Sequence, residues 1–233
     1  MYTEQIESNG FAVIPDVLDR ATVVRLIDQL AQVPPSNATK QRGLSYFGIR
    51  NLLSIAPSVQ ELACSARINS IVEQVAGEKA QVVRGIFFDK TPEANWKVAW
   101  HQDLTIAVRD KKEIAGFKSW SQKAGITHVQ PPVFVLEKIF ALRLHLDDAT
   151  EESGALRVIP GSHKHGRLSS ADIERIRRET QPVSCTVKRG GALAMRPLLL
   201  HSSTVSSTGS HRRVIHLEFS TGNLPGGLEW HRS

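Results

Sequence analysis

His101-Gln102-Asp103 is the first place in the chain where residue type and spacing suggest chemistry. On a β-strand, residues two apart share a face, so this imidazole and carboxylate can reach one point while Gln102 turns away. Taken alone, the pair reads equally well as part of a surface strand. His201 adds a third donor at the close of Met195-Arg-Pro-Leu-Leu-Leu-His201, which reads as an apolar strand ending in a histidine and a Ser-rich turn. Two imidazoles and one carboxylate on one face match the ligand set of non-haem Fe(II) oxygenases, which leaves positions open for a chelating keto acid and for O2. Arg212 follows, just before an apolar strand. Its guanidinium fork suits the distal carboxylate of 2-oxoglutarate, and the Ser203 hydroxyl can donate to the same group. Arg143 and His145 lie on another strand with alternating apolar neighbours. Arg143 is a second candidate for binding co-substrate or substrate. Arg213, adjacent to Arg212, is expected to face the opposite way as a solvated basic residue.

The elements that must carry these residues change character along the chain. Residues 1–80 read as a helical flank. Asp19 to Val33 places Val23, Ile27 and Leu30 on one face and ends at Pro34-Pro35. Ser58-Val-Gln-Glu61 has capping-box spacing, Leu62 to Val75 continues the apolar pattern, and Gly77 suits a helix C-terminus. Residues 81–233 read as short strands separated by Gly, Pro, Ser and Asp: Val82 to Phe88, Val133 to Leu146, Ala155 to Ile159, Val183 to Val187, Ala192 to Met195 and Val214 to Phe219. One helix, Ser170 to Glu179, interrupts them with Ile173 and Ile176 inward. Many short strands indicate a sandwich or barrel. The stretch 104–132 is long, mixed and Lys-rich. It is expected to be a substrate lid hinged at Gly116 and Gly125, with a surface excursion around Phe117 and Trp120 as the alternative.

Bulk properties set the outer bounds. The 233 residues suit a single domain, and 41% hydrophobic with 22% charged residues is ordinary for a globular protein. No apolar run approaches the roughly 20 residues of a membrane span, and no secretory signal is evident at the N-terminus. Cytoplasmic location is therefore expected, with Cys64 and Cys185 as buried thiols. The net charge of +6 is spread in short groups without interleaved aromatics. That does not argue for nucleic-acid binding, none of which is expected, and suits a basic funnel for an anionic small molecule equally well. Lys111, Lys112, Lys118 and Lys123, near the expected lid, point the same way. Nothing in the sequence sets an oligomeric state.

Three segments resemble the phytanoyl-CoA dioxygenase family of Fe(II)/2-oxoglutarate oxygenases. They are Trp100-His-Gln-Asp103, the run Leu146-Asp-Asp-Ala-Thr-Glu-Glu-Ser-Gly-Ala-Leu-Arg-Val-Ile-Pro-Gly-Ser-His163, and His201-Ser-Ser203 with Arg212. The resemblance covers most of the chain from Gly10 onward. It implies a double-stranded β-helix, a jelly roll, with flanking helices. It implies that His101, Asp103 and His201 match the iron ligands, and that Arg212 and Ser203 match the anchors of 2-oxoglutarate. It also implies a hydroxylase, because Asp103 stands where halogenating relatives carry a small residue. His163 and His165 would lie in a loop near the mouth with structural roles, and Asp147, Asp148, Glu151 and Glu152 in a solvated loop. The sequence leaves two other readings open. One is a cupin-like protein that binds zinc or nickel, and the other a 2-oxoglutarate sensor without turnover.

Overall fold

The computed structural model describes residues 2–42 and 45–231, with residues 41, 42, 45 and 46 described by backbone alone. Two antiparallel sheets face each other in a jelly roll. The larger has seven strands in the order β1-β12-β9-β14-β4-β3-β2. These are β1 (Phe11–Ile14), β2 (Thr39–Arg42), β3 (Ser45–Ile49), β4 (Gln81–Lys90), β9 (Ile139–His145), β12 (Ala192–Met195) and β14 (Arg212–Ser220). The smaller runs β11-β10-β13-β5: β5 (Val98–His101), β10 (Leu156–Val158), β11 (Val183–Cys185) and β13 (His201–Ser203). A third sheet, β6-β8-β7, comprises β6 (Ile106–Val108), β7 (Lys118–Lys123) and β8 (Ile126–Gln130).

Alternation along the strands gives the large sheet two different faces. Leu142, Leu144, Ile215, Leu217 and Phe219 point outward into a core shared with the N-terminal helices. Those helices are α1 (Tyr2–Asn9), α2 (Arg20–Ala31), α3 (Leu52–Ile55), α4 (Pro57–Ala63) and α5 (Ala66–Ala76). Asp19 caps α2 by accepting a hydrogen bond from Thr22 N at 2.7 Å. The inner face meets the small sheet through a second cluster that includes Ala141, Leu156, Cys185, Leu193, Met195 and Leu199.

Several expectations need correction. The helix expected from Ser58 onward is two helices broken at Cys64. Pro57 starts α4 at a position where proline is well tolerated, Ala56 precedes it without a side-chain cap, and Ser65 caps α5. Val133 to Leu146 is not one strand. Pro132 leads into a helical turn, α6 (Val133–Leu136), before β9 begins; a short apolar run cannot distinguish the two by periodicity. The strand expected to end at His201 ends at Met195, and His201 opens β13 in the opposite sheet. Cys64 is exposed, whereas Cys185 is buried; both are free thiols. The helix at Ser170 to Glu179, α7, is found as expected, with a reciprocal cap between Ser169 and Asp172.

Residues 104–132 are an ordered side sheet. Ile106, Val108, Phe117 and Val129 share an apolar cluster with Leu224, Leu228 and Trp230, and Trp120 packs against it. Gly116 and Gly125 both adopt positive φ at turns of this segment. No helix among the described residues is long and apolar enough to cross a membrane.

The junction between large sheet and helices carries much of the burial. Phe219 is fully buried and stacks on Phe140 with ring centroids 5.6 Å apart. Phe219→Ala should lower unfolding free energy by about 3–5 kcal/mol in urea titrations. Val205→Ala, at a half-exposed loop position, should stay within about 0.5 kcal/mol of wild type.

Candidate active site

The two sheets enclose a cavity of about 530 Å³ between their inner faces. Strand register places its walls. On β14, Arg212, His216 and Glu218 have the same parity, and on β4 Arg84, Ile86 and Phe88 do; all six line the cavity. Glu218 pairs with Arg84 across the ladder, His216 with Ile86 on one side and Arg143 on the other, and Arg212 with Lys90. The small sheet supplies the opposite wall through His101, His201 and Ser203.

His101 and His201 are directly opposed on β5 and β13. Their rings lie 4.2 Å apart between centroids. Each ring is fixed by the same local contact: Nδ1 lies 2.8 Å from the carbonyl of Ala99 in one and of Leu199 in the other. A carbonyl only accepts, so Nδ1 carries the hydrogen and the Nε2 lone pair is left free. Both Nε2 atoms turn toward Asp103, at 3.8 Å from Oδ1 for His101 and 3.7 Å from Oδ2 for His201. One ligand atom from each of the three residues lies within 4.8 Å of the others. Burial pushes the His201 imidazole down to about 4, which keeps it neutral. Burial alone would raise the Asp103 carboxyl, but His201, His216, His101 and Arg84 outweigh it and hold the group below its ordinary range. Two imidazole nitrogens that present their lone pairs and a carboxylate oxygen form a donor set that fits a divalent iron.

Gln102 turns away from this cluster, as strand alternation requires. It is buried, donates to the carbonyls of Gly166 and Leu198 at 2.8 and 2.7 Å, and accepts from Leu168 N at 2.9 Å. It therefore ties the segment bearing His101 and Asp103 to the turn that precedes His201.

A set of buried cations lies at the inner end of the cavity. Arg212 is 5% exposed, and its guanidinium makes no hydrogen bond or ion pair among the described residues. Burial lowers its pKa to about 10, with Arg143 adding repulsion. Arg143 Nη1 lies 3.0 Å from His216 Nδ1, while its Nε is buried without a partner. Two guanidinium groups with unused donors beside one cavity make a receptor for a carboxylate. Lys90, which the sequence reading missed, adds a third positive group. It is 1% exposed and donates to Ser203 Oγ at 3.1 Å and to the carbonyl of Thr204. With its oxygen engaged in this way, the Ser203 hydroxyl is free to donate its own hydrogen to a ligand. The signal for Lys90 was its parity with Arg84 on a strand that sequence reading ended too early.

His216 and Glu218 were also missed. His216 Nε2 lies 3.4 Å from Glu218 Oε1, and Arg84 Nη1 donates to the same oxygen at 3.0 Å. His145 shares the parity of Arg143 on β9 and is buried with neither ring nitrogen bonded. Arg213 does face the opposite way from Arg212, but it is not a solvated residue. Its guanidinium donates to both oxygens of Asp147 at 2.8 Å, so that member of the acidic run is also partnered. The turn containing His163 and His165 packs on α1, with His163 Nε2 3.3 Å from the carbonyl of Glu7, rather than at the mouth. Of residues 104–132, Thr105 and Lys123 reach the cavity, while Lys111, Lys112 and Lys118 do not.

Residues 6–214 match the sequence model of the family described as Phytanoyl-CoA dioxygenase (PhyH). The chain belongs to the phytanoyl-CoA dioxygenase family. Its class is that of the Fe(II)- and 2-oxoglutarate-dependent oxygenases. Phytanoyl-CoA dioxygenase 1 of Oryza sativa subsp. japonica is 24% identical over 178 residues, covering 71% of this chain and 54% of the rice protein. Among solved structures, SnoK, a non-heme alpha ketoglutarate dependent carbocyclase from nogalamycin biosynthesis, superposes with a TM-score of 0.73. It is 16% identical, over 95% of this family member and 83% of SnoK. EctD from S. alaskensis, crystallised with 2-oxoglutarate and 5-hydroxyectoine, gives a TM-score of 0.71 at 16% identity, over 94% of this chain and 74% of EctD. At these identities the structural likeness concerns the jelly roll alone.

Burial, reinforced by Arg212 and Arg143, brings Lys90 down to about 7. Between about 7 and the ordinary lysine value near 10.5, the unfolded chain holds a proton that the folded chain has lost. By linkage, Lys90 therefore makes the free protein more stable as pH rises through that window. An anion at Arg212 and Ser203 favours the charged form and loses this attraction over the same range. With the keto acid's carboxylate held there, 2-oxoglutarate affinity, measured calorimetrically, should fall by up to ~10-fold per pH unit between about 7 and 9, below the value of about 10 at which Arg212 itself begins to lose its charge. Lys90→Met should bind more weakly at neutral pH and show a flatter profile.

Proposed function

We propose that this family member hydroxylates an unactivated C–H bond of a small molecule, with release of succinate and CO2. The observation that carries the reading is the placement of the His101–Asp103–His201 cluster across one cavity from a buried, unpartnered Arg212. Iron would be held by His101, Asp103 and His201. Arg212 and Ser203 would hold the distal carboxylate of 2-oxoglutarate, with Arg143 beside them. Iron, O2 and the keto acid together supply the oxidising power when bound.

The protein's own contribution is positioning. Carbonyls of Ala99 and Leu199 hold both imidazoles in the tautomer that presents Nε2. Lys90 orients the Ser203 hydroxyl and adds positive charge behind the anchor. Ile86, Phe88, Val98 and Leu156 line the cavity with apolar surface that limits water near the reacting bond. The Arg84–Glu218–His216 chain lines the same cavity with polar groups suited to orienting a substrate. The side sheet of residues 104–132 walls the cavity through Thr105 and Lys123.

Anaerobic addition of Fe(II) and 2-oxoglutarate should generate the visible charge-transfer band of a chelated keto acid, and admitting air should yield slow succinate formation. His101→Ala and Asp103→Ala should abolish both; full iron-dependent turnover in Asp103→Ala would remove the ligand assignment. Arg212→Ala should weaken 2-oxoglutarate binding by roughly 30- to several-thousand-fold, since a lost charged pair costs about 2–5 kcal/mol. Ser203→Ala removes one hydrogen bond and should cost about 1–2 kcal/mol. A band without any succinate would identify a keto-acid sensor in place of an enzyme.

A further inference from the structure

The cavity holds a second group of cations that the 2-oxoglutarate anchor does not use. Lys40 on β2, Arg50 just beyond β3 and Lys123 at the end of β7 all line it. Lys40 is exposed, and Arg50 and Lys123 are half-buried, so this group marks the open end. No side chain of the three forms a hydrogen bond or ion pair among the described residues. The two acids that line the same cavity are engaged elsewhere: Asp103 lies in the histidine cluster, and Glu218 accepts from Arg84. These cations also repel one another. Burial and Arg84 lower the Arg50 guanidinium, while burial, Arg84, Arg50 and Lys40 lower Lys123 against a weaker pull from Asp103. Unpaired like charges gathered around one opening are unfavourable until an anion joins them. In the same cavity, Phe47 and Trp96 form a tilted pair with centroids 5.8 Å apart, and Lys90 Nζ lies 5.8 Å from the Trp96 ring.

We propose that Arg50 and Lys123, with Lys40, form a second anion site at the cavity mouth that binds the phosphate of a compact phosphate monoester substrate. Its organic part lies over the Phe47–Trp96 pair and extends toward His101. Three uncompensated positive charges match a doubly charged phosphate better than a single carboxylate. The cavity of about 530 Å³ must also hold the keto acid, so the organic part is small. The site rests on the oxygenase reading only for what happens at the metal; anion binding at the mouth stands apart from it.

Phenyl phosphate is the probe, with benzoate and phenol as controls. Each is titrated calorimetrically, without oxygen, into protein loaded with Fe(II) and saturating 2-oxoglutarate, so that Arg212 is already occupied. Phenyl phosphate should bind at least ~10-fold more tightly than benzoate, and phenol should not bind measurably. Arg50→Gln/Lys123→Gln should weaken phenyl phosphate by roughly 10-fold or more, and Lys123→Gln alone by less. The keto-acid band, retained in these variants, shows that they are folded. Failure of phenyl phosphate to bind, equal binding by the double variant, or equal binding of benzoate would each overturn the phosphate site. Absence of the band in wild type would instead overturn the oxygenase reading, and the phenyl phosphate titration would still decide this one.

Discussion

One end of the inner face of the large sheet carries buried cationic side chains with no carboxylate paired to them. Arg212, Arg143 and Lys90 occupy one end of that face, and among the described residues none forms an ion pair with a carboxylate. Withdrawing a charge from water is costly unless a partner is supplied, so the fold must compel this arrangement. It does so by register. Arg212 is opposite Lys90, and His216 is opposite Arg143, in a sheet whose other face is locked into the helical core by Leu142, Ile215, Leu217 and Phe219. A one-residue slip would place the charges in that core and the leucines in the cavity. The hydrophobic pattern on one side thus holds an unfavourable electrostatic pattern on the other, ready for an anion from solution.

Within this frame the two sheets have different tasks. The small sheet bears His101 and His201 on adjacent strands, with Asp103 tied in by its backbone N–H to the carbonyl of Pro197 at 2.9 Å. The large sheet bears the cations. Lys90 and Ser203 join the two directly at one end. Gln102, linking the Asp103 segment to Leu198 and Gly166, makes the histidine cluster a single mechanical unit.

How much of this was legible in the sequence depended on whether a residue's chemistry was local. His101, Asp103, His201, Arg212 and Ser203, which line one cavity, stand out as candidates in the sequence because two-residue spacing and a forked donor have meaning without a fold. Arg143 was found because its strand reads clearly. His216 and Glu218 share the parity of Arg212 on the same strand, and following the alternation four and six residues on would have exposed them. Lys90 lay two positions past the point where apolar content ran out, in a strand that continues to Lys90. The strands within residues 104–132 were not legible because β7, Lys-Ser-Trp-Ser-Gln-Lys, has no apolar alternation. Its turn at Ala124-Gly125, both at positive φ, was the hairpin signal available. The break at Cys64 and the helical turn after Pro132 were hidden because an apolar run is compatible with either structure.

One consequence follows from dividing the site between the sheets. Under the proposed assignment, the histidine cluster belongs to one sheet and Arg212 to the other. The layer that keeps them apart consists of Leu156, Leu193, Met195, Leu199 and their neighbours. That layer is a gauge block. Its thickness is fixed by close-packed side chains that yield little to compression, so under that assignment the distance between metal and guanidinium would be set by hydrophobic residues rather than by the charged groups themselves.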